Sequence, residues 1–425
     1  MKPREERTLM PVDAVVVGVG YVGLPLAAAA CAAGLSVTGF DIDPSVVEGL
    51  QQGRSHVPDV SEAQLNSMRA NGFTATADPS VLRGADTVVI CVPTGLDPGG
   101  GPDLGAVRAA AATVAANLRP GTLVVLESTS YPGTTDEVLR PVLESTGLVA
   151  GEDFLLAYSP ERIDPGNRAY GVRSTPKVVS GHTPRCAKQC ATFYSRFVDS
   201  VVLARGTREA EMAKLLENTY RYVNIALVNE IAVFCDQIGL DVWDVLHCAA
   251  TKPFGFAPFV PGPGVGGHCI PVDPMYLLDR AERAGFPLGV VRAARRVDAA
   301  MPSYVVSRAE RLLGRNLDEA RVLLLGVTYK PEVPDTRETR AVPIATELAG
   351  RGALVHYHDP FVGAVPALDA VAHPVGELDA ALHAADLAIL LTPHSAYRPA
   401  HLARAARLLL DTTGRVPGEH AVSRL

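Results

Sequence analysis

No apolar run in this 425-residue chain reaches the roughly 18–20 residues that a membrane-crossing helix needs. The opening stretch MKPREERTLMPVDAVVVG lacks an apolar core of about 7–15 residues followed by a small-residue cleavage site, so no secretory leader is expected. The seven cysteines show no pairing pattern and no CxxC. That argues against a disulfide framework and fits a reduced, cytoplasmic setting. An excess of positive charge is missing too, with a formal net charge of −7 and a pI near 5.9. Nucleic acid and anionic membrane are therefore not expected as partners, although a local basic patch for an anionic substrate remains compatible. What is present, 48% hydrophobic and 20% charged residues, describes a soluble chain with real cores. Its length suggests about two or three domains.

From residue 12 short apolar runs alternate with helical stretches. VDAVVVGVG, SVTGFDID, DTVVICVPT and TLVVLEST read as strands, and the series continues through DFLLAYSP, PKVVSG and SVVLAR. Continuous apolar strands separated by helices predict a parallel sheet covered on both faces. From residue 207 a proline-free pattern of about 30 residues, with apolar positions three and four apart, predicts one long helix or two helices with an unmarked break. After residue 320 a second series begins with RVLLLGVTY, ALVHYHDP, LAILLTP and RLLLDTTG. The expected fold is α/β: two doubly wound Rossmann-like parallel-sheet domains, joined by a long central helix and a helical middle region. The expected boundaries are 1–205, 206–313 and 314–425.

The turn VVVGVGYVGLPLA places Gly18, Gly20 and Gly23 as GxGxxG directly after a strand and at the start of a helix. Such glycines allow the tight turn, the approach of backbone to a pyrophosphate, and close helix–strand packing. Tyr21 and Val22 lie inside that turn. Asp41 ends the next strand, where a carboxylate accepts hydrogen bonds from an adenosine ribose and repels a 2′-phosphate, so NAD is expected rather than NADP. Thr94, Ser128 and Thr129 follow later strands and are candidates to touch the cofactor; each is also an ordinary strand-end or helix-capping hydroxyl. Glu127, just before them, is either part of the site or a surface charge.

A second constellation lies further on. Glu211, Lys214 and Asn218 share one face of the long helix. The bland alternative is a solvated stripe with a Glu–Lys pair, with Met212, Leu215 and Leu216 supplying the buried side. Cys31, Cys91, Cys186, Cys190, Cys235 and Cys248 fall on predicted helices or strands, where a cysteine is a small inert apolar residue. Cys269 instead sits in GPGVGGHCIPVDP, among Gly264, Gly266 and Gly267, which free backbone N–H groups and leave room for a ligand. A thiol there is a candidate nucleophile, with Asp273 four residues on able to orient a water. A nicotinamide oxidant together with a nucleophilic cysteine suits oxidation of an alcohol, through an aldehyde and a thioester, to a carboxylate. The rival classes are a two-electron hydroxyacid dehydrogenase and a non-catalytic NAD sensor. His356 and His358 share a strand face beside Asp359, but this chemistry requires no metal and none is expected.

Over nearly its whole length the chain resembles the UDP-glucose/GDP-mannose dehydrogenase family. The matching segments are VVGVGYVGLPLA, ESTSYPGTT, YSPERIDPGN, AEMAKLLENTYRYVNIALVNE, GPGVGGHCIPVDP and GVTYKPEVPDTRE, in the family's order. The resemblance implies NAD-dependent, four-electron oxidation of a nucleotide sugar's C6 hydroxymethyl to a carboxylate. Cys269 matches the catalytic cysteine, and Lys214 and Asn218 match the pair that assists proton transfer and stabilises the oxyanion. Asp273 matches the aspartate that places the hydrolytic water, and Thr129 and Glu161 match supporting residues. Lys330 and Arg337 match nucleotide-diphosphate contacts, and Arg162, Phe259 and the three loop glycines complete the implied substrate-binding set with Glu161, Lys214 and Asn218. A homodimer or higher homo-oligomer formed through the long helix is also implied. Within the family, SPERIDPGN and AATKPFGFAPFVPGPGVGGHCIPVDPMYL are most similar to the UDP-N-acetylglucosamine 6-dehydrogenase branch. Members acting on UDP-glucose usually carry an arginine before the cysteine loop, where this chain reads TKPFGFAPF; UDP- and dTDP-glucose stay open as alternatives.

Overall fold

The computed structural model describes residues 12–164, 169–417 and 421–425. Residues 1–11, on which the leader question turned, and Pro165, Gly166 and Asn167 of the SPERIDPGN motif lie outside the described residues. The chain divides into two compact units, Met1–Glu217 with Met275–Ala284, and Asn218–Pro274 with Gly285–Leu425.

In the first unit the apolar runs form an eight-stranded sheet. Its strands are β1 (Val12–Val17), β2 (Val37–Phe40), β3 (Thr74–Thr76), β4 (Ala85–Ile90), β5 (Leu123–Leu126), β6 (Leu155–Tyr158), β7 (Lys177–Gly181) and β8 (Val201–Leu203). They lie in the order β8-β7-β6-β5-β4-β1-β2-β3. Every residue of β2, β5 and β6 is buried, as a sheet covered on both faces requires. Helices α1 (Gly23–Ala32) and α2 (Pro184–Tyr194) contribute buried apolar faces to that cover. The pairs from β3 across to β6 are parallel, but β7 runs antiparallel to β6, with Tyr158 opposite Ser180. This corrects the expectation of a parallel series throughout. A parallel return needs a crossover, usually helical. The connection 159–176 carries Pro160, Pro165 and Pro176 with Gly166 and Gly171, residues that oppose a helix.

The long pattern is one helix, α3 (Thr207–Ile238), of 32 residues, and the division between units falls inside it. Two further helices, α4 (Asp273–Arg283) and α5 (Gly289–Leu313), follow. The second unit holds a six-stranded, wholly parallel sheet of β9 (Arg321–Leu325), β10 (Leu354–His358), β11 (His373–Pro374), β12 (Leu387–Leu390), β13 (Leu409–Asp411) and β14 (Val422–Arg424). Its order is β11-β10-β9-β12-β13-β14.

The two sheets repeat one local device. After β1, Gly18 adopts φ +85° and a Cβ there would stand 2.9 Å from the Cys91 carbonyl oxygen; after β9, Gly326 adopts φ +78° and its Cβ would stand 2.3 Å from that of Thr392. Only glycine tolerates both the conformation and the approach. Each turn is then held by an aspartate from the end of the neighbouring strand. Asp41 accepts from the Val19 N–H at 3.0 Å, and Asp359 accepts from Val327 N–H at 2.7 Å and Thr328 N–H at 3.1 Å. In both sheets this is where the strand order reverses, the place at which open α/β sheets generally bind ligands. Among the described residues no helix is long and apolar enough to cross a membrane.

Candidate active site

At the carboxyl edge of the first sheet, Gly18, Gly20, Tyr21, Val22 and Gly23 make the turn between β1 and α1. A Cβ on Gly23 would lie 1.9 Å from the Gly18 carbonyl oxygen, whereas nothing lies within 4 Å of one on Gly20. The first glycine is therefore demanded by packing, and the second leaves bare backbone. No side chain caps α1, so its N-terminal end offers its N–H groups and positive dipole to an anion. The Asp41 carboxylate is aimed by two backbone donors, Val19 N–H and Asp43 N–H, each at 3.0 Å, and is half-exposed. These residues fit a dinucleotide: the Gly20 backbone would admit its pyrophosphate, and Asp41 would hold its ribose. Thr94 and Thr129 are half-buried nearby in the chain. Ser128 is buried and donates to the Val92 carbonyl at 2.7 Å, so it ties the ends of β4 and β5 rather than capping a helix.

Glu127 is not a surface charge: it is 1% exposed and pairs with Lys177 at 3.0 Å. Glu161, just beyond β6, accepts a hydrogen bond from Ile163 N–H. Arg162 is engaged within the protein, pairing with Glu217 at 2.7 Å and donating to the Pro176 carbonyl at 2.7 Å. A guanidinium has five N–H donors, so these partners do not exhaust it.

The solvated stripe weighed for α3 does not form, and of its expected buried side Leu215 is buried but Met212 and Leu216 are not. Glu211 is fully buried and Lys214 is 7% exposed, while Leu216 is 56% exposed. Glu211 makes no solvated Glu–Lys stripe; it accepts from Gly133 N–H at 2.6 Å, Thr135 N–H at 2.8 Å and the Thr135 hydroxyl at 2.7 Å. The SYPGTT turn thus docks on this helix through a carboxylate. Burial pushes the Glu211 carboxyl up to about 7 despite these donors.

In the second unit Cys269 is half-buried, and its carbonyl accepts from Val272 N–H at 3.2 Å and Asp273 N–H at 2.9 Å. The chain turns there, and the buried Asp273 carboxylate accepts from the Asn218 amide at 2.5 Å. Asn218 lies one helical turn beyond Lys214, on the same face of α3. The hydrogen bond joins one residue of α3 to one of the cysteine loop. Cys248 is exposed, unlike the other five cysteines read as packing residues; it sits near the end of a helix, Val242–Ala250, in which Val242 is the one buried residue.

The cysteine loop is held by side chains that the sequence reading did not single out. Asp298 on α5 accepts from Val265 N–H at 2.7 Å and pairs with Arg340 at 2.5 Å, while Arg340 donates to the Val265 carbonyl at 2.6 Å. Asn229 accepts from Gly262 N–H at 2.9 Å. Burial pushes the Asp298 carboxyl up, and Arg340 opposes it. A signal for Asp298 was available, since it falls on the helical stripe Val291, Ala294, Asp298, Met301 and Val305, all buried. The loop glycines also differ from expectation. Gly264 and Gly267 have φ +108° and +87°, and Cβ atoms on Gly266 and Gly267 would lie 3.0 Å from the Glu338 carbonyl oxygen and 2.8 Å from the Tyr329 ring. Gly266 and Gly267 let the loop pack on segment 329–338, a reason for glycine there besides room for a ligand.

That segment carries Lys330 and Arg337. Arg337 grips Asp335, with its Nε 3.0 Å from both carboxylate oxygens. Burial raises the Asp335 carboxyl, but the Arg337 hydrogen bonds outweigh it and hold it below its ordinary range. Phe259 is half-buried, with its ring 5.9 Å from that of Tyr220. His358 and Asp359 are used inside the protein: His358 meets the Tyr397 hydroxyl at 2.9 Å, and Asp359 meets His394 at 3.1 Å.

Comparison with known proteins matches the UDP-glucose/GDP-mannose dehydrogenase family in three consecutive parts: its NAD binding domain over residues 12–198, its central domain over 208–300 and its UDP binding domain over 323–418. The chain belongs to this family. It is an NAD-dependent nucleotide-sugar dehydrogenase. The dehydrogenase is 41% identical to the UDP-N-acetyl-D-glucosamine 6-dehydrogenase of Pseudomonas aeruginosa over 358 residues, 83% of this chain and 84% of that one. It is 35% identical to an NDP-N-acetyl-D-galactosaminuronic acid dehydrogenase of Ralstonia nicotianae over 411 residues, 94% of this chain and 95% of that one. Among solved structures, the UDP-D-ManNAc dehydrogenase of Pyrococcus horikoshii superposes with a TM-score of 0.87 at 31% identity, covering 97% of this chain and 98% of that one.

Proposed function

We propose that this dehydrogenase oxidises the C6 hydroxymethyl of a UDP-N-acetylhexosamine, UDP-N-acetylglucosamine in first place, to the carboxylate, with Cys269 as covalent nucleophile. The observation that carries the reading is the Asn218–Asp273 hydrogen bond beside the cysteine turn. It ties the Asn218 amide to a carboxylate four residues along the chain from the thiol. Two NAD⁺ bound in succession would each accept one hydride, so one alcohol, two NAD⁺ and one water give one carboxylate, two NADH and three protons. Cys269 adds to the aldehyde carbon, and Lys214 and Asn218 face the oxygen that gains charge. Once the adduct is a thioester, Asp273 orients the water that releases the acid. Thr129 and Glu161 support these steps. Lys330 and Arg337 supply the cations a diphosphate needs, and Phe259, Arg162 and the loop glycines frame the sugar's surroundings. Favouring an N-acetyl sugar is the segment 251–260, which holds three phenylalanines and no arginine.

We further propose a homodimer. Met212, Leu216, Tyr220, Leu227, Ile231, Phe234 and Ile238 are exposed along α3 at helical spacing, a continuous apolar stripe suited to a second copy of the same helix.

NADH production with UDP-N-acetylglucosamine, UDP-N-acetylmannosamine, UDP-N-acetylgalactosamine, UDP-glucose and dTDP-glucose tests the substrate. The largest kcat/KM is expected with UDP-N-acetylglucosamine. Preference for a glucose nucleotide would overturn the sugar assignment.

A further inference from the structure

The antiparallel strand of the first sheet has a chemical consequence. In a parallel array the first residue of β7 would lie at the edge away from the cofactor crevice. Because β7 is reversed, Lys177 lies at the carboxyl end of β6. Tyr158 stands opposite Ser180 and Ala157 opposite Gly181, and continuing that register sets Lys177 across from Glu161. The side chains agree: Lys177 Nζ lies 3.9 Å from Glu161, 3.0 Å from Glu127 and 3.3 Å from the Pro160 carbonyl oxygen.

Lys177 is 6% exposed. Burying an ammonium costs several kcal/mol unless it is paired, and a well-packed apolar pair would serve stability as well. The surroundings are built around the charge. Tyr194 donates to the other Glu127 oxygen and sets its ring 5.1 Å from the ammonium. Behind Tyr194 the Phe193 and Phe197 rings lie 5.0 and 5.6 Å away. On that side the network ends in an aromatic cluster. Burial works against the ammonium, but Glu127 and Glu161 outweigh it, so Lys177 keeps its proton.

We propose that Lys177 is a positioning residue of the dehydrogenase centre: it holds the Glu161 carboxylate at the cofactor edge of the sheet, while Glu127 and Tyr194 hold Lys177. Ile163 N–H fixes one Glu161 oxygen and the ammonium attracts the other. Because this role acts through Glu161, it stands on the function proposed above.

Lys177→Met alone strands a buried Glu127 carboxylate and risks unfolding, so the informative variant is Lys177→Met with Glu127→Gln. Lys177→Arg and Glu161→Gln are made in parallel. All are assayed as full-length enzyme with NAD and the nucleotide sugar that turns over fastest. The double variant is expected to melt as a folded protein and to keep NAD affinity and sugar KM within about threefold. Its kcat should fall roughly ten- to a hundredfold, the size of effect that a misplaced reacting group produces. Lys177→Arg should recover most of that loss. If the double variant keeps its kcat while Glu161→Gln loses it, the Lys177 role is wrong and the function proposed for Glu161 stands. A loss of kcat matched by equal losses of NAD and sugar affinity, without rescue by arginine, would show a merely structural lysine. Full activity in Glu161→Gln would overturn both assignments.

Discussion

Asp41 shows how a single side chain can be aimed before its ligand arrives. Its two oxygens take backbone N–H groups from Val19 and Asp43, so a ribose bound as expected would meet it without reorganisation. Asp41→Ala should raise the KM for NAD roughly tenfold, the worth of a lost charge-assisted hydrogen bond. It should also narrow the preference over NADP, because the repulsion of a 2′-phosphate goes with the carboxylate. Steady-state kinetics with both cofactors check this, and an unchanged NAD-to-NADP ratio would contradict it. The glycine turn and the place of Asp41 at its edge were legible in sequence because they are local, set by turn conformation and the end of the adjacent strand. Glu127, Glu211 and Lys177 were not. Each is a charged residue whose burial depends on a partner at least 50 positions away, Glu127 with Lys177 and Glu211 with Thr135, and the pattern of apolar residues around them does not announce it.

At the scale of elements, the cysteine loop is fastened from outside by Asp298 and Arg340. Arg340→Ala leaves Asp298 buried without its cation and should cost about 3 kcal/mol. It should also loosen the loop, so that Cys269 is alkylated faster by iodoacetamide at a temperature where the variant is folded. Unchanged labelling would show that the latch does not govern the loop. The join between α3 and the SYPGTT turn makes a different prediction. With Glu211 pushed up to about 7 from an ordinary 4.5, the folded chain keeps a proton between those pH values that the unfolded chain has lost. Stability therefore falls as pH rises through that window. Glu211→Gln cannot lose the proton, so its Tm should fall less than the parent's between about pH 5 and pH 8; parallel curves would contradict the assignment. The strands along the chain and the approximate length of α3 were readable from periodicity. The reversal of β7 was not, since apolar runs carry no direction, and the only hint was the proline-rich, helix-poor connection before it.

Across the whole molecule, one α/β device is used twice, with a glycine turn held by an aspartate in each sheet. The doubling was visible as two series of apolar strands, and the family match assigns NAD to the first and UDP to the second. The apolar stripe of α3 gives the assembly its test. Leu227→Glu with Phe234→Glu places charges on exposed positions that a second copy would bury, and sedimentation should show a monomer where the parent is a dimer. A parent already monomeric at micromolar concentration would contradict the proposed homodimer.

The most direct test of the central claim counts NADH formed per sugar consumed, with the product identified by mass spectrometry. The covalent four-electron route predicts two NADH and a uronic acid for each sugar, with acid formation abolished in Cys269→Ala. One NADH per sugar, or undiminished acid formation by the Cys269→Ala enzyme, would contradict it.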